Sequence, residues 1–191
     1  MNFVCIDPGR ATGCAISSLI PFGNLIEVGT IRDNGSIEKY CDALRKMKER
    51  HDIQFAVIEK YQNFGKYFVD ASTVQAEIRA CQDVFPRHIM VATGQWNPRH
   101  FQDKYKRLMA ASTFRRTFTN SHTTDAAMIL NWFCQLVIAW AQYAGLSRQD
   151  MVATLADVFH AVPKQGKFIV WVDEHRREEK EKQPRFAAVS L

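Results

Sequence analysis

The chain has 191 residues, of which 47% are hydrophobic and 24% charged. That suits one ordinary domain with a real core and excludes a chain disordered throughout. A formal net charge of +5 is compatible with a polyanionic partner without demanding one.

Residues 2–6 form an apolar run that ends at Asp7, where Pro8 and Gly9 force a turn. Residues 13–17 resume as a second strand, Pro21 to Asn24 read as a hairpin turn, and residues 25–31 read as a third strand. The cluster Asp33-Asn34-Gly35 breaks the chain. Ile37, Cys41, Leu44 and Met47 then recur at helical spacing, which predicts a helix over 36–50 capped by Ser36. Residues 55–58 are all apolar, as in a strand buried on both faces, and end at Glu59. Val74, Ile78, Cys81 and Phe85 mark a second helix, and residues 88–92 a fifth strand. Phe101, Tyr105, Leu108 and Ser112 mark a third helix with its apolar residues inward, near whose start Pro98 stands.

A long apolar helix begins between Ser121 and Asp125. Residues 126–144 carry no charge, but Asn131, Gln135 and Gln142 interrupt them. This is expected to be a buried core helix rather than a membrane span. Met151, Val152, Leu155, Val158 and Phe159 suggest one more helix, residues 168–172 a short strand, and residues 173–182 a solvated charge run. Three meandering strands followed by strand–helix alternation predict an α/β fold. Its sheet is mixed and five-stranded, an antiparallel meander then parallel strands, with helices on its faces. The domain is expected over 1–145, with 146–191 as an extension and not an independent domain.

Cys5, Cys14, Cys41, Cys81 and Cys134 are odd in number, form no C-x-x-C pair and sit in apolar stretches. Buried free thiols in a reducing compartment are expected, not disulfides or a zinc site. No basic-then-apolar leader opens the sequence, so a cytoplasmic location is expected.

Three carboxylates stand where chemistry gathers: Asp7 at the end of the first strand, Glu59 at the end of the fourth, and Asp125 at the start of a helix. If the first and fourth strands are neighbours, Asp7 and Glu59 meet at one edge. Clustered carboxylates repel unless a cation joins them, and hard oxygen ligands suit Mg²⁺ or Mn²⁺. His122, three residues before Asp125, could ligate a metal or handle a proton. Singly, each has a plainer reading: Asp7 as a turn residue, Glu59 as a solvated strand end, Asp125 as a cap or helix-dipole residue, His122 as a structural histidine. Their order along the chain favours the joint one.

With those residues in view, a resemblance emerges. Phe3-Val4-Cys5-Ile6-Asp7-Pro8-Gly9, followed by Thr12-Gly13, resembles the opening strand and turn of RuvC-type Holliday-junction resolvases. Ala56-Val57-Ile58-Glu59 is similar to that family's second acidic strand, Gln75-Ala76 with Arg79 to the following helix, and Asp125-Ala126-Ala127 to its last acidic motif. The resemblance covers about residues 1 to 145 and suggests a divergent, viral or phage-like member. It implies an RNase H-like fold and a homodimeric, Mg²⁺-dependent nuclease that nicks four-way DNA junctions, with Mn²⁺ as a substitute and two ions per site. The implied metal-binding and catalytic residues are Asp7, Glu59 and Asp125, with His122 where many members carry another aspartate.

Two basic stretches flank these motifs. Lys60, Tyr61, Phe64 and Lys66 interleave aromatics with lysines in a Gly-containing loop, which could stack on unpaired bases while the lysines hold phosphate. In the family an aromatic in this loop probes the junction centre; the equally spaced position here is Gln62, so Tyr61 or Phe64 would substitute. Arg99, Lys104, Lys106, Arg107, Arg115 and Arg116 form the second stretch, whose basic face could track a DNA backbone. Both also read as a helix start and a solvated face. Competing functions are an ATP-binding protein of the actin or sugar-kinase kind, which a nucleotide titration would reveal, and a non-catalytic DNA-binding factor of the same fold.

Overall fold

A computed structural model describes residues 1–9, 11–32, 35–60, 71–97 and 101–160. Five strands form one sheet: β1 (Asn2–Asp7), β2 (Ala11–Ser18), β3 (Asn24–Arg32), β4 (Ile53–Lys60) and β5 (His88–Ala92). Their spatial order is β3-β2-β1-β4-β5. The meander β1-β2-β3 is antiparallel, whereas β4 lies parallel to β1 and β5 parallel to β4. This is the mixed sheet that the order of elements predicts.

The helices are α1 (Ile37–Arg50), α2 (Ala71–Val84), α3 (Thr93–Trp96), α4 (Asp103–Phe114), α5 (Ser121–Tyr143) and α6 (Arg148–His160). They cover both faces, because β1 over residues 3–6 and β4 over residues 55–58 are apolar and buried on both faces. In β1, Phe3 and Cys5 join the core that holds α5, while Val4 and Ile6 join the core that holds α1 and α2. Alternate side chains of one strand thus anchor opposite layers. Phe133 of α5 packs edge-on to Phe3, with ring centroids 5.5 Å apart, and stacks on Phe55 at 6.3 Å. Met151 and Leu155 of α6 are buried in the same cluster.

Helix α5 is long and apolar enough to cross a bilayer, yet Ala126, Ala127, Ile129, Leu130, Phe133 and Val137 are fully buried in the core. Its apolarity is that of a central core helix, as expected. All five cysteines are free; Cys5, Cys14 and Cys81 are buried, and Cys41 and Cys134 are half-buried.

Two predicted faces are rotated. In α1 the buried residues are Tyr40 and Leu44, while Ile37 is exposed. The Tyr40 hydroxyl lies 2.8 Å from Thr12 Oγ1, which donates to the Gly9 carbonyl at 2.9 Å. A tyrosine with a buried hydrogen-bond partner has displaced the simple apolar stripe. In α4 the expectation of inward Tyr105 and Leu108 fails: they are 54% and 60% exposed, and Lys106 and Ala110 are buried instead. The ion pair of Lys106 with Asp125 on α5 sets that rotation, and the small Ala110 lets the helix backbone lie close to its neighbours. Phe101 precedes the helix. Tyr61, Gln62, Phe64, Lys66, Pro98, Arg99, the strand expected at 168–172 and the charge run at 173–182 lie outside the described residues.

Candidate active site

The site grows out of strand order. Because β1 and β4 are parallel neighbours with Ile6 opposite Ile58, both strands end at the same edge of the sheet. Asp7 and Glu59 therefore meet there, as the sequence predicts, close enough for the charge of Asp7 to act on the Glu59 carboxyl. Glu59 is only 9% exposed. Burial, then the charge of Asp7, push the Glu59 carboxyl up to about 8. Glu59 therefore holds its proton more tightly than an ordinary carboxyl.

Two side chains fix Glu59 from the far side. The Thr93 hydroxyl and the Trp96 indole N–H, the latter at 3.2 Å, both donate to Glu59 Oε1. They belong to α3, one turn directly after β5, which the element reading missed. The available signal was topological: the residues just after β5 must sit beside the end of β4, since the two strands are parallel and adjacent.

The N-terminus of α5 supplies the third side. Asn120 caps it, its side chain accepting from the His122 backbone N–H at 2.8 Å, while the hydroxyls of Thr123 and Thr124 donate to its carbonyl. Asp125 is therefore no cap; it lies a full turn inside the helix, on the side facing the sheet. A close approach makes this placement possible. A Cβ built on Gly13 in β2 would lie 2.0 Å from the His122 carbonyl oxygen, so only glycine lets α5 start against the sheet.

His122 Nδ1 donates to Asp7 Oδ2 at 3.2 Å. That hydrogen bond, opposed by partial burial and reinforced by the charges of Asp7 and Asp125, raises the imidazole above its usual range. Burial pushes the Asp125 carboxyl up to about 6, although Lys106 pulls the other way.

Lys106 is the main correction to the sequence reading. The basic stretch places it on an exposed face that could track a DNA backbone; instead its side chain is buried and its ammonium bonds Asp125 Oδ1 at 2.5 Å and Asp103 Oδ1 at 3.2 Å. It also lies 5.8 Å from the centroid of the Trp96 ring. Burial works against its charge, but the hydrogen bonds and charges of Asp125 and Asp103 outweigh it and hold the ammonium above its usual range. The spacing signal existed: Asp103 and Lys106 are three residues apart on one helix face. Of the other predicted contacts, Lys60, Lys104, Arg115 and Arg116 are exposed and Arg107 is half-buried.

The donor chemistry fits a hard divalent cation. Asp7 and Glu59 stand at adjacent strand ends with Asp125 near, and the carboxyls of Glu59 and Asp125 are pushed up first by burial and then by the charge of Asp7. Among the described residues no three His, Cys, Asp or Glu side chains are grouped closely enough to hold an ion. Lys106 is bonded to Asp125 Oδ1.

No protein-family model and no curated protein matches the sequence. Solved structures do match. The structure of Thermus thermophilus RuvC aligns with a TM-score of 0.59 at 16% identity, over 76% of this chain and 97% of that one. T. thermophilus RuvC in complex with a Holliday junction substrate aligns with a TM-score of 0.58 at 14% identity, over 71% and 96%. The likeness is one of fold: the same mixed sheet flanked by helices.

Proposed function

We propose that the chain is a metal-dependent endonuclease that resolves four-way DNA junctions or related branched DNA. The observation that carries this reading is the meeting of Asp7 and Glu59 at adjacent parallel strand ends, with Asp125 and His122 brought beside them by α5, in a fold shared with a junction-binding protein.

Asp7, Glu59 and Asp125 are the residues to hold the ion, with His122 as a further ligand or proton carrier. When bound, Mg²⁺, or Mn²⁺ in its place, supplies the charge that acidifies a water and offsets charge on the departing oxygen, most effectively as two ions. The protein's own groups do the rest. Thr93 and Trp96 hold Glu59 at the sheet edge, so its carboxylate is in position before substrate arrives. Asp7 orients the His122 ring through Nδ1 and leaves Nε2 as the nitrogen that can take a proton from the attacking water. Lys106 holds Asp125; were that carboxylate to serve as a metal ligand, the ammonium would be left to meet a phosphate oxygen.

One carboxylate cluster among the described residues makes one cut. Two symmetric nicks therefore require a two-fold homodimer, for which an isologous interface is the common solution. Light scattering with and without junction DNA checks it; a strict monomer that still cuts both strands together would refute the dimer.

The function itself is tested by incubating the protein with a labelled four-way junction and a matched linear duplex, with and without Mg²⁺. Cleavage confined to the junction and dependent on the ion is expected. An intact junction at all Mg²⁺ and Mn²⁺ concentrations, despite binding, would reduce the protein to a non-catalytic factor.

A further inference from the structure

Helix α4 turns one face to the acidic cluster through Lys106 and carries a separate groove. The groove is about 440 Å³ in volume and its lining includes Asp103, Lys104, Arg107, Leu108, Ala111 and Phe118. Its two cations are uncommitted. Lys104 is exposed, and no described carboxylate forms an ion pair with it or with Arg107. Arg107 Nε is buried and has no hydrogen-bond partner among the described residues. That nitrogen is closed off from the groove, but Arg107 as a whole is only half-buried and lines the groove, so the rest of its side chain remains open to an acceptor seated there. The groove's one carboxylate, Asp103, is engaged with Lys106 at 3.2 Å, which leaves its net charge positive.

The remaining lining is apolar. Leu108 is 60% exposed, beside Ala111 and the buried Phe118. Two cations next to an apolar wall match a phosphodiester with its sugar: acceptor-only oxygens for the guanidinium and ammonium, and a deoxyribose face for Leu108. Asp103 joins the two regions, since it belongs to the groove and also touches the lysine that binds Asp125. A strand lying over the acidic cluster therefore reaches the groove without leaving α4.

We propose that this groove seats a backbone phosphate of the bound DNA, gripped by Lys104 and Arg107, a short way along the strand from the scissile position. The inference rests on the nuclease reading and specifies where its substrate is held. The test is junction binding by fluorescence anisotropy in EDTA across roughly 50–200 mM salt, a window in which phosphate contacts are resolved. Arg107→Ala and Lys104→Ala should each weaken binding about ten-fold and reduce the log–log salt slope by about 0.9. Arg107→Lys should keep the slope and recover only part of the affinity, because an ammonium lacks the planar fork. Leu108→Ala should lose affinity a few-fold with no change in slope. Lys46→Ala, an exposed cation on α1 across the sheet, should change neither. Lys104 is exposed, so its variant serves even if Arg107→Ala folds poorly. Unchanged affinity and slope in Lys104→Ala and Arg107→Lys would overturn the groove while leaving junction cleavage by the unaltered protein intact. An unaltered protein that binds no DNA would overturn the groove and the nuclease reading together.

Discussion

Glu59→Gln should make the metal-free protein more stable, and the gain should depend on pH. An isosteric amide keeps the oxygen that accepts from Thr93 and Trp96 and stays neutral beside Asp7 at every pH. What it removes is the charge. Below about pH 4.5, Glu59 is protonated in the folded and unfolded chains alike, and the raised folded value has no effect on stability. As pH rises from the ordinary 4.5 towards the folded value of about 8, the unfolded chain releases the proton while the folded chain keeps it. Stability of the unaltered protein falls through that window and levels off above it. At about 1.36 kcal/mol per pH unit the full difference is about 5 kcal/mol, and discounting for the interaction with Asp7 leaves an expected gain of about 2–5 kcal/mol at pH 8. In a domain of this size that is roughly 5–15 °C in melting temperature. Asp125 and His122 titrate in both proteins, so their contributions largely cancel in the comparison. Urea denaturation in EDTA at pH 4.5, 6 and 8 measures it. Mg²⁺ should then stabilise the unaltered protein at pH 8 but not the variant. A variant no more stable than the parent at pH 8, or a gain that does not grow with pH, would refute the assignment of Glu59 as a buried, charge-strained carboxyl.

Asp7→Asn, Glu59→Gln and Asp125→Asn should each abolish junction cleavage while retaining binding in a gel-shift assay; full activity in any one would remove that residue from the site. Lys106→Ala should bind Mn²⁺ several-fold more tightly, read by electron paramagnetic resonance, because the competitor for Asp125 is gone, yet cleave more slowly; unaltered metal affinity would show that Lys106 and the cation do not compete. Gly13→Ala should cost on the order of 3 kcal/mol or more, since its Cβ meets backbone rather than a movable side chain; a melting temperature within a degree or two of the parent would contradict the close approach of β2 to α5.

The fold was legible because its signals are redundant. Apolar runs end in Asp7 and Glu59, turn residues punctuate the meander, and α5 is apolar over its length, so errors in single boundaries do not disturb the order of elements. The meeting of Asp7, Glu59 and Asp125 was legible for the same reason: strand ends and a helix start are places that sequence patterns locate well. What escaped was whatever depends on the rotation of a helix or on a single turn. Lys106 reads as one more cation in a basic run, because no pattern says that α4 gives up burying Tyr105 and Leu108 to aim an ammonium at Asp125. Thr93 and Trp96 sit in a helix of four residues, too short to carry a periodicity.

The distribution of site residues over the fold also bears on how the protein opens. Asp7, Glu59 and Asp125 ride on the central strands and the core helix, whose amides should exchange with solvent only when the whole domain unfolds. Lys106 rides on α4, whose outer face keeps Tyr105, Leu108 and Met109 in water and which should exchange through smaller, local openings. The carboxylate framework and the cation that covers it are therefore expected to belong to different cooperative units. Local excursions of α4 would uncover Asp125 at a fraction of the free energy of unfolding, so the pace at which the acidic site admits a cation would be set by one peripheral helix, with the sheet beneath it undisturbed.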